Sequence, residues 1–125
     1  MKNLGDAELE IMQVIWESEG SVNANFILKA LQGKRKWQLS TLMTSLSRLS
    51  DKGFVHCDRS TGTNLYSCLI SENDYKAKTS KSFLEKLYHN SLQNMVATLY
   101  NNQTIKDTDI EELRAFLDTL EDKQK

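Results

Sequence analysis

Between residues 40 and 70 the hydrophobic pattern changes period once, and that change restricts the fold more than any other feature of the chain. Leu42, Leu46 and Leu49 recur at helical spacing and Gly53 ends the run. Two stretches rich in Val, Phe, Tyr, Cys and Ile follow, Phe54 to Arg59 and Asn64 to Ile70. Ser60, Thr61, Gly62 and Thr63 between them supply a turn, so this part reads as a β-hairpin. Two helices are legible upstream. The first starts near Asp6 as N-cap, places Leu9, Met12, Ile15 and Trp16 on one face and stops at Gly20. The second runs from Ser21 or Asn23 to Leu31, with Phe26, Ile27, Ala30 and Leu31 as its apolar stripe.

Downstream of the hairpin the pattern is helical throughout, and the complete lack of proline permits long helices. Ser71 with Asp74 three residues later reads as a helix start. Phe83, Leu84, Leu87 and Tyr88 follow, then a break at Asn90 and Ser91. Leu92, Met95, Val96, Leu99 and Tyr100 continue the stripe to a loop at Asn101 to Gln103. Ile110, Leu113, Leu117 and Leu120 then form a narrow 3-4-3 seam suited to a partner helix. The expected fold class is mainly α with a small β-hairpin wing: a winged helix-turn-helix domain over residues 1–70 and a helical dimerisation domain over 71–125.

A chain of 125 residues with 39% hydrophobic content can bury a core without metal or disulfide. The apolar runs are too short to span a bilayer, and no signal-peptide core follows the N-terminus, so a cytoplasmic location without membrane insertion is expected. Cys57 and Cys68 have no metal-ligand spacing, and His56 and His89 have no ligand partner at such spacing, so neither metal nor cofactor is expected. The cysteines read as buried, reduced thiols, with a redox pair across the hairpin as the alternative. No nucleophile motif or glycine-rich phosphate loop is present, which speaks against an enzyme. Net charge is −1 but unevenly placed. Residues 29–59 hold seven cations against two carboxylates, and residues 103–122 hold two cations against seven. A basic and an acidic segment imply two jobs in two places.

Three helices followed by a hairpin is the order of a winged helix, in which the third helix enters the DNA major groove and the hairpin lies beside the backbone. The third helix meets that demand. Its leucines form one face, and Thr41, Thr44, Ser47 and Arg48 form another that can approach bases. Met43 shares the DNA-facing side, and Lys36, Ser40 and Arg59 are placed to hold phosphates, with Lys34 and Arg35 as further anchors. Trp37 is either a core residue or a ring stacked on the sugar-phosphate chain. The C-terminal half carries more apolar side chains than three short helices can enclose. Leu84, Leu87, Leu92, Met95, Val96, Leu99, Ile110, Leu113, Leu117 and Leu120 are therefore assigned to a homodimer interface, the alternative being a bundle packed back on the N-terminal domain. Double-stranded operator DNA and a second copy are the expected partners. A protein-binding winged helix without sequence-specific DNA binding is the rival reading.

Several segments resemble the penicillinase repressor and methicillin-resistance repressor family. Leu4 to Met12 with Ile15 and Trp16 resemble its opening, and Ser40 to Leu49 with Lys52 and Gly53 its recognition helix. Tyr75 to Lys81 and Asp109 to Arg114 resemble its dimerisation segment. The resemblance implies a dimeric repressor on a pseudo-palindromic operator, often of β-lactam resistance genes. It also implies a membrane sensor protease that cleaves the dimerisation half at an Asn-Phe pair, to which Thr98-Leu99 corresponds here. Met43 stands where relatives often carry a basic residue, and the wing tip from Thr61 to Asn64 lacks their lysine or arginine. Arg59 is thus the wing's charged phosphate contact.

Overall fold

The computed structural model describes residues 3–33 and 36–123. Helices α1 (Asp6–Glu17), α2 (Ala24–Ala30) and α3 (Leu39–Asp51) come first. Strands β1 (Val55–Asp58) and β2 (Leu65–Cys68) follow, then helices α4 (Glu72–Tyr88), α5 (Leu92–Asn101) and α6 (Asp107–Lys123). The chain separates into two compact units, Met1–Thr79 and Ser80–Lys125.

The first unit is a winged helix built around one core. Ile11, Met12 and Ile15 of α1, Ile27 of α2, Leu42, Leu46 and Leu49 of α3, and Phe54 and Val55 at the hairpin are enclosed almost completely. Tyr75 of α4 closes this core, its ring 5.8 Å from both Trp16 and Phe54, and its hydroxyl oxygen accepts the Leu4 N–H at 3.0 Å. The Trp16 indole donates to the Ile70 carbonyl at 2.9 Å, so the chain leaving the hairpin is tied to α1.

β1 and β2 pair antiparallel, with Val55 opposite Cys68 and Cys57 opposite Tyr66. Val22 adds a third, one-residue strand position through two backbone hydrogen bonds with Tyr66, at 3.0 and 2.7 Å. The strands are shorter than the composition suggested, because Asp58 turns the chain at once: its carboxylate accepts from both the N–H and the hydroxyl of Ser60. The register puts Cys57 and Cys68 on one face, diagonally related, and both are free thiols. Cys57 is half-buried and Cys68 exposed, so burial of both thiols is not what the hairpin provides.

Local chemistry moves other boundaries. Gly5, not Asp6, is the N-cap of α1, and the Glu8 carboxylate accepts its N–H at 3.0 Å. Asn23 caps α2 by accepting the Phe26 N–H at 2.8 Å. Phe26 and Ala30, expected in the stripe of α2, are exposed, because so short a helix turns only Ile27 and the following Leu31 fully inward. Trp37 is buried in the core, which decides between its two readings.

The second unit contains the end of α4 with α5 and α6. Asn102 and Gln103 close α5, Gln103 in the left-handed conformation at φ 60°. Not one described residue of α5 or α6 is buried.

Candidate nucleic-acid interface

Helix α3 is placed by its C-terminal end as well as by its leucines. At its C-terminus Gly53 takes φ 84°, its N–H bonding the Ser50 carbonyl while the Phe54 N–H bonds the Leu49 carbonyl. This paired closure requires a left-handed residue and lets Phe54 drop straight into the core. Lys52, the last residue before that turn, extends its ammonium 2.7 Å from Glu8 of α1. The pair is partly enclosed, the Lys52 and Glu8 side chains being 24% and 14% exposed. Burial alone would raise the Glu8 carboxyl. The hydrogen bonds from Lys52 and Gly5, with the charges of Lys52 and Arg48, outweigh burial and hold it below its ordinary value. Glu8 therefore fixes the C-terminal end of α3 against α1.

With the leucines inside, Ser40, Thr41, Met43, Thr44, Ser47 and Arg48 all remain exposed on α3. Thr44 donates its hydroxyl proton to the Ser40 carbonyl at 3.0 Å, which leaves its oxygen free only to accept. Arg48 lies in the last helical turn, close enough to Glu8 for its charge to act there, yet with its side chain open to solvent. Lys36 before the helix and Arg59 after β1 are exposed as well. Lys34 and Arg35 lie outside the described residues. In the wing, burial raises the Tyr66 phenol above its ordinary value, and neighbouring Cys57 adds to the shift, so the hydroxyl is a neutral group in the hairpin.

Pattern reading missed Leu39. It opens α3 out of phase with the buried leucines and is 46% exposed; Met43, one turn on, is 37% exposed. Together with Asn23 and Asn25 at the start of α2 and Thr63 and Asn64 of the wing they line a groove of about 320 Å³. The signal was present in the sequence: Leu39 is four residues from Met43 and three from Leu42, and only the phase of Leu42, Leu46 and Leu49 tells which face it joins.

In the second unit α5 and α6 flank a larger groove of about 700 Å³. Leu92, Val96, Ile110, Leu113 and Leu117 line it, with Tyr100 at its side. Met95, Leu99 and Leu84 are half-buried, whereas Leu87 and Leu120 are exposed. The Tyr100 hydroxyl donates to Asp107 at 2.8 Å, and that bond raises the phenol above its ordinary value. Among the described residues no cluster of His, Cys, Asp or Glu could hold a metal ion, and no helix is long and apolar enough to cross a membrane.

Three helices, a wing, and a third helix with a sealed leucine face and an open hydroxyl face define the winged helix-turn-helix class. The match to known sequences is narrower. The sequence profile of the penicillinase repressor covers residues 4–119. The penicillinase repressor of Bacillus licheniformis is 34% identical over 98% of this chain and 94% of its own. The methicillin resistance regulatory protein MecI of Mammaliicoccus sciuri is 33% identical over 91% of this chain and 92% of its own. The chain belongs to the penicillinase repressor family, a family of gene repressors and not of enzymes. Among solved structures, the DNA-binding domain of the repressor BlaI superposes with a TM-score of 0.51 at 37% identity, covering 60% of this chain and 94% of that one. The Bacillus licheniformis BlaI monomer in complex with the blaP half-operator gives a TM-score of 0.50 at 36% identity, covering 59% and 89%.

Proposed function

We propose that this protein is a homodimeric repressor that occupies a pseudo-palindromic operator, each protomer inserting α3 into one major groove. The observation that carries the reading is the division of α3 into a fully buried leucine face and an exposed face of Ser40, Thr41, Thr44, Ser47 and Arg48. A helix so divided fits a groove that admits one helix and offers base-edge acceptors and thymine methyls. The relative solved with a half-operator supports it. Arg48 is assigned to a guanine or an adjoining phosphate, Thr41, Thr44 and Ser47 to base edges, and Lys36, Ser40 and Arg59 to phosphates.

Dimerisation is assigned to the grooved face of α5 and α6, where Leu92 and Leu117 of the lining are exposed. Seating a partner's helices there removes exposed leucines from water and provides the two-fold axis that paired half-sites need. Repression follows from occupancy and needs no catalysis. Control by a sensor protease would require cleavage near Thr98-Leu99, which lies inside α5. A protease that binds extended chain reaches that bond only after α5 unwinds.

The test starts from selection of bound sites out of random duplexes. A two-fold-related consensus is expected, with affinity falling steeply as salt rises. Arg48→Ala should then weaken binding to the selected duplex by about 1–3 kcal/mol in a gel-shift titration. Affinity that ignores both salt and Arg48 would instead favour a protein-binding winged helix.

A further inference from the structure

The buried stripe of α3 accounts for Leu42, Leu46 and Leu49 but not for Leu39 and Met43. Spaced four residues apart, these two stack one turn above the other on a single face. They remain 46% and 37% exposed and form an apolar strip in the groove of about 320 Å³ between α3, the start of α2 and the wing. The other walls carry the amides of Asn23, Asn25 and Asn64 and the hydroxyl of Thr63. The lining is therefore apolar on the α3 side and polar on the α2 and wing sides, with the Asn23 amide oxygen already taken by the Phe26 N–H.

Exposed Ser47 and Ser40 lie next round the helix from this strip, with Thr44 beyond them and Thr41 on the far side, so a duplex that covers the serines comes against Leu39 and Met43 as well. Thr44 has no hydroxyl proton left to donate there, because the Ser40 carbonyl holds it. The strip lies in the first half of α3, the part of a recognition helix that meets base edges. A major groove offers one apolar feature at its base edges, the C5 methyl of thymine. Against guanine or cytosine edges, Leu39 and Met43 would cover donors and acceptors without pairing them.

We propose that Leu39 and Met43 form a thymine-methyl reader, making one or two thymines per half-site determinants of specificity at positions where no side chain of this helix pairs a base. The proposal rests on the DNA-binding reading above and names a part of the operator that reading leaves open.

The experiment uses the full chain and a duplex selected from a random pool. Each thymine of that duplex is replaced in turn by uracil, which keeps the pairing edge and loses only the methyl, and binding is measured by fluorescence anisotropy. One or two replacements per half-site should weaken binding roughly three- to fivefold, the scale of one buried apolar carbon. The double variant Leu39→Ala, Met43→Ala should bind thymine and uracil alike at those positions. Both side chains are only partly covered and lie outside the core, so circular dichroism should show the double variant still fully folded at the assay temperature. Site-selective binding that tolerates uracil everywhere overturns the proposal and leaves the DNA-binding reading standing. The same is true if the double variant still discriminates. Failure to select any duplex overturns the DNA-binding reading and this proposal with it.

Discussion

Glu8 shows how much one side chain can decide. Its carboxylate caps α1 through the Gly5 N–H and receives the Lys52 ammonium from the end of α3. A carboxyl held below its ordinary value stabilises the fold at every pH above its unfolded value, and that contribution disappears as pH falls through the folded value. Glu8→Gln keeps the size and removes the charge. It should cost about 1.5 kcal/mol at neutral pH, the scale of a charge-assisted hydrogen bond. Parent and variant should converge in acid, below the folded value of the carboxyl. Urea titrations across that range read the difference, and a gap of constant size would show that Lys52 gains nothing from the charge. Because the pair tethers α3, the same variant should also loosen operator binding.

At the scale of elements, closure at the C-terminus is what separates neighbouring helices cleanly. α3 ends through Gly53, a residue that adopts φ 84° without steric cost. α5 ends with the same pair of backbone bonds, Gln103 N–H to Tyr100 and Thr104 N–H to Leu99, but places Gln103 at the left-handed position. A Cβ there costs conformational energy that glycine avoids. The relief of a left-handed side chain, about 1–2 kcal/mol, less the roughly 0.5–1 kcal/mol that glycine's freer unfolded chain costs, means that Gln103→Gly should stabilise the second unit by about 0.5–1 kcal/mol, seen as a rise in melting temperature. No change in melting would mean that the turn is already relaxed with glutamine in place. The wing follows similar local rules: Asp58 and Ser60 close the strand early, and Gly62 at φ 85° carries the tip.

For the whole molecule, the two units divide the chemistry. The first encloses Leu42, Leu46 and Leu49 of α3 and leaves that helix's hydroxyl face outside, while the second leaves Leu87, Leu92, Phe116 and Leu117 between 45% and 58% exposed. A lone chain gains nothing from so much wetted apolar surface, and the dimer proposed above would remove it. Leu117→Asp places a charge in the groove of α5 and α6 and should convert the dimer to monomer in sedimentation velocity runs. Affinity for a full operator should fall by about two orders of magnitude or more, since the second half-site then binds independently, while affinity for a single half-site stays unchanged. A variant that remains dimeric would move the interface off this groove.

The sequence alone determined the element order, because helical and strand periods are properties of neighbouring residues. The stripe of Leu42, Leu46 and Leu49, the turn from Ser60 to Thr63 and the capping Ser71 all act within a few positions of themselves, and each stands where its local chemistry put it. The division of α3 into inner and outer faces was legible for the same reason. Long-range packing decided the rest. Whether Trp37 faced the core or the solvent, whether Phe26 was enclosed, and how Cys57 and Cys68 were registered depended on which distant element lay opposite. The Glu8–Lys52 pair joins residues forty-four positions apart, and no local period encodes such a meeting. The groove lined by Leu39 and Met43 exists only because α2, α3 and the wing converge, and convergence is a property of the folded chain and not of any one stretch of it.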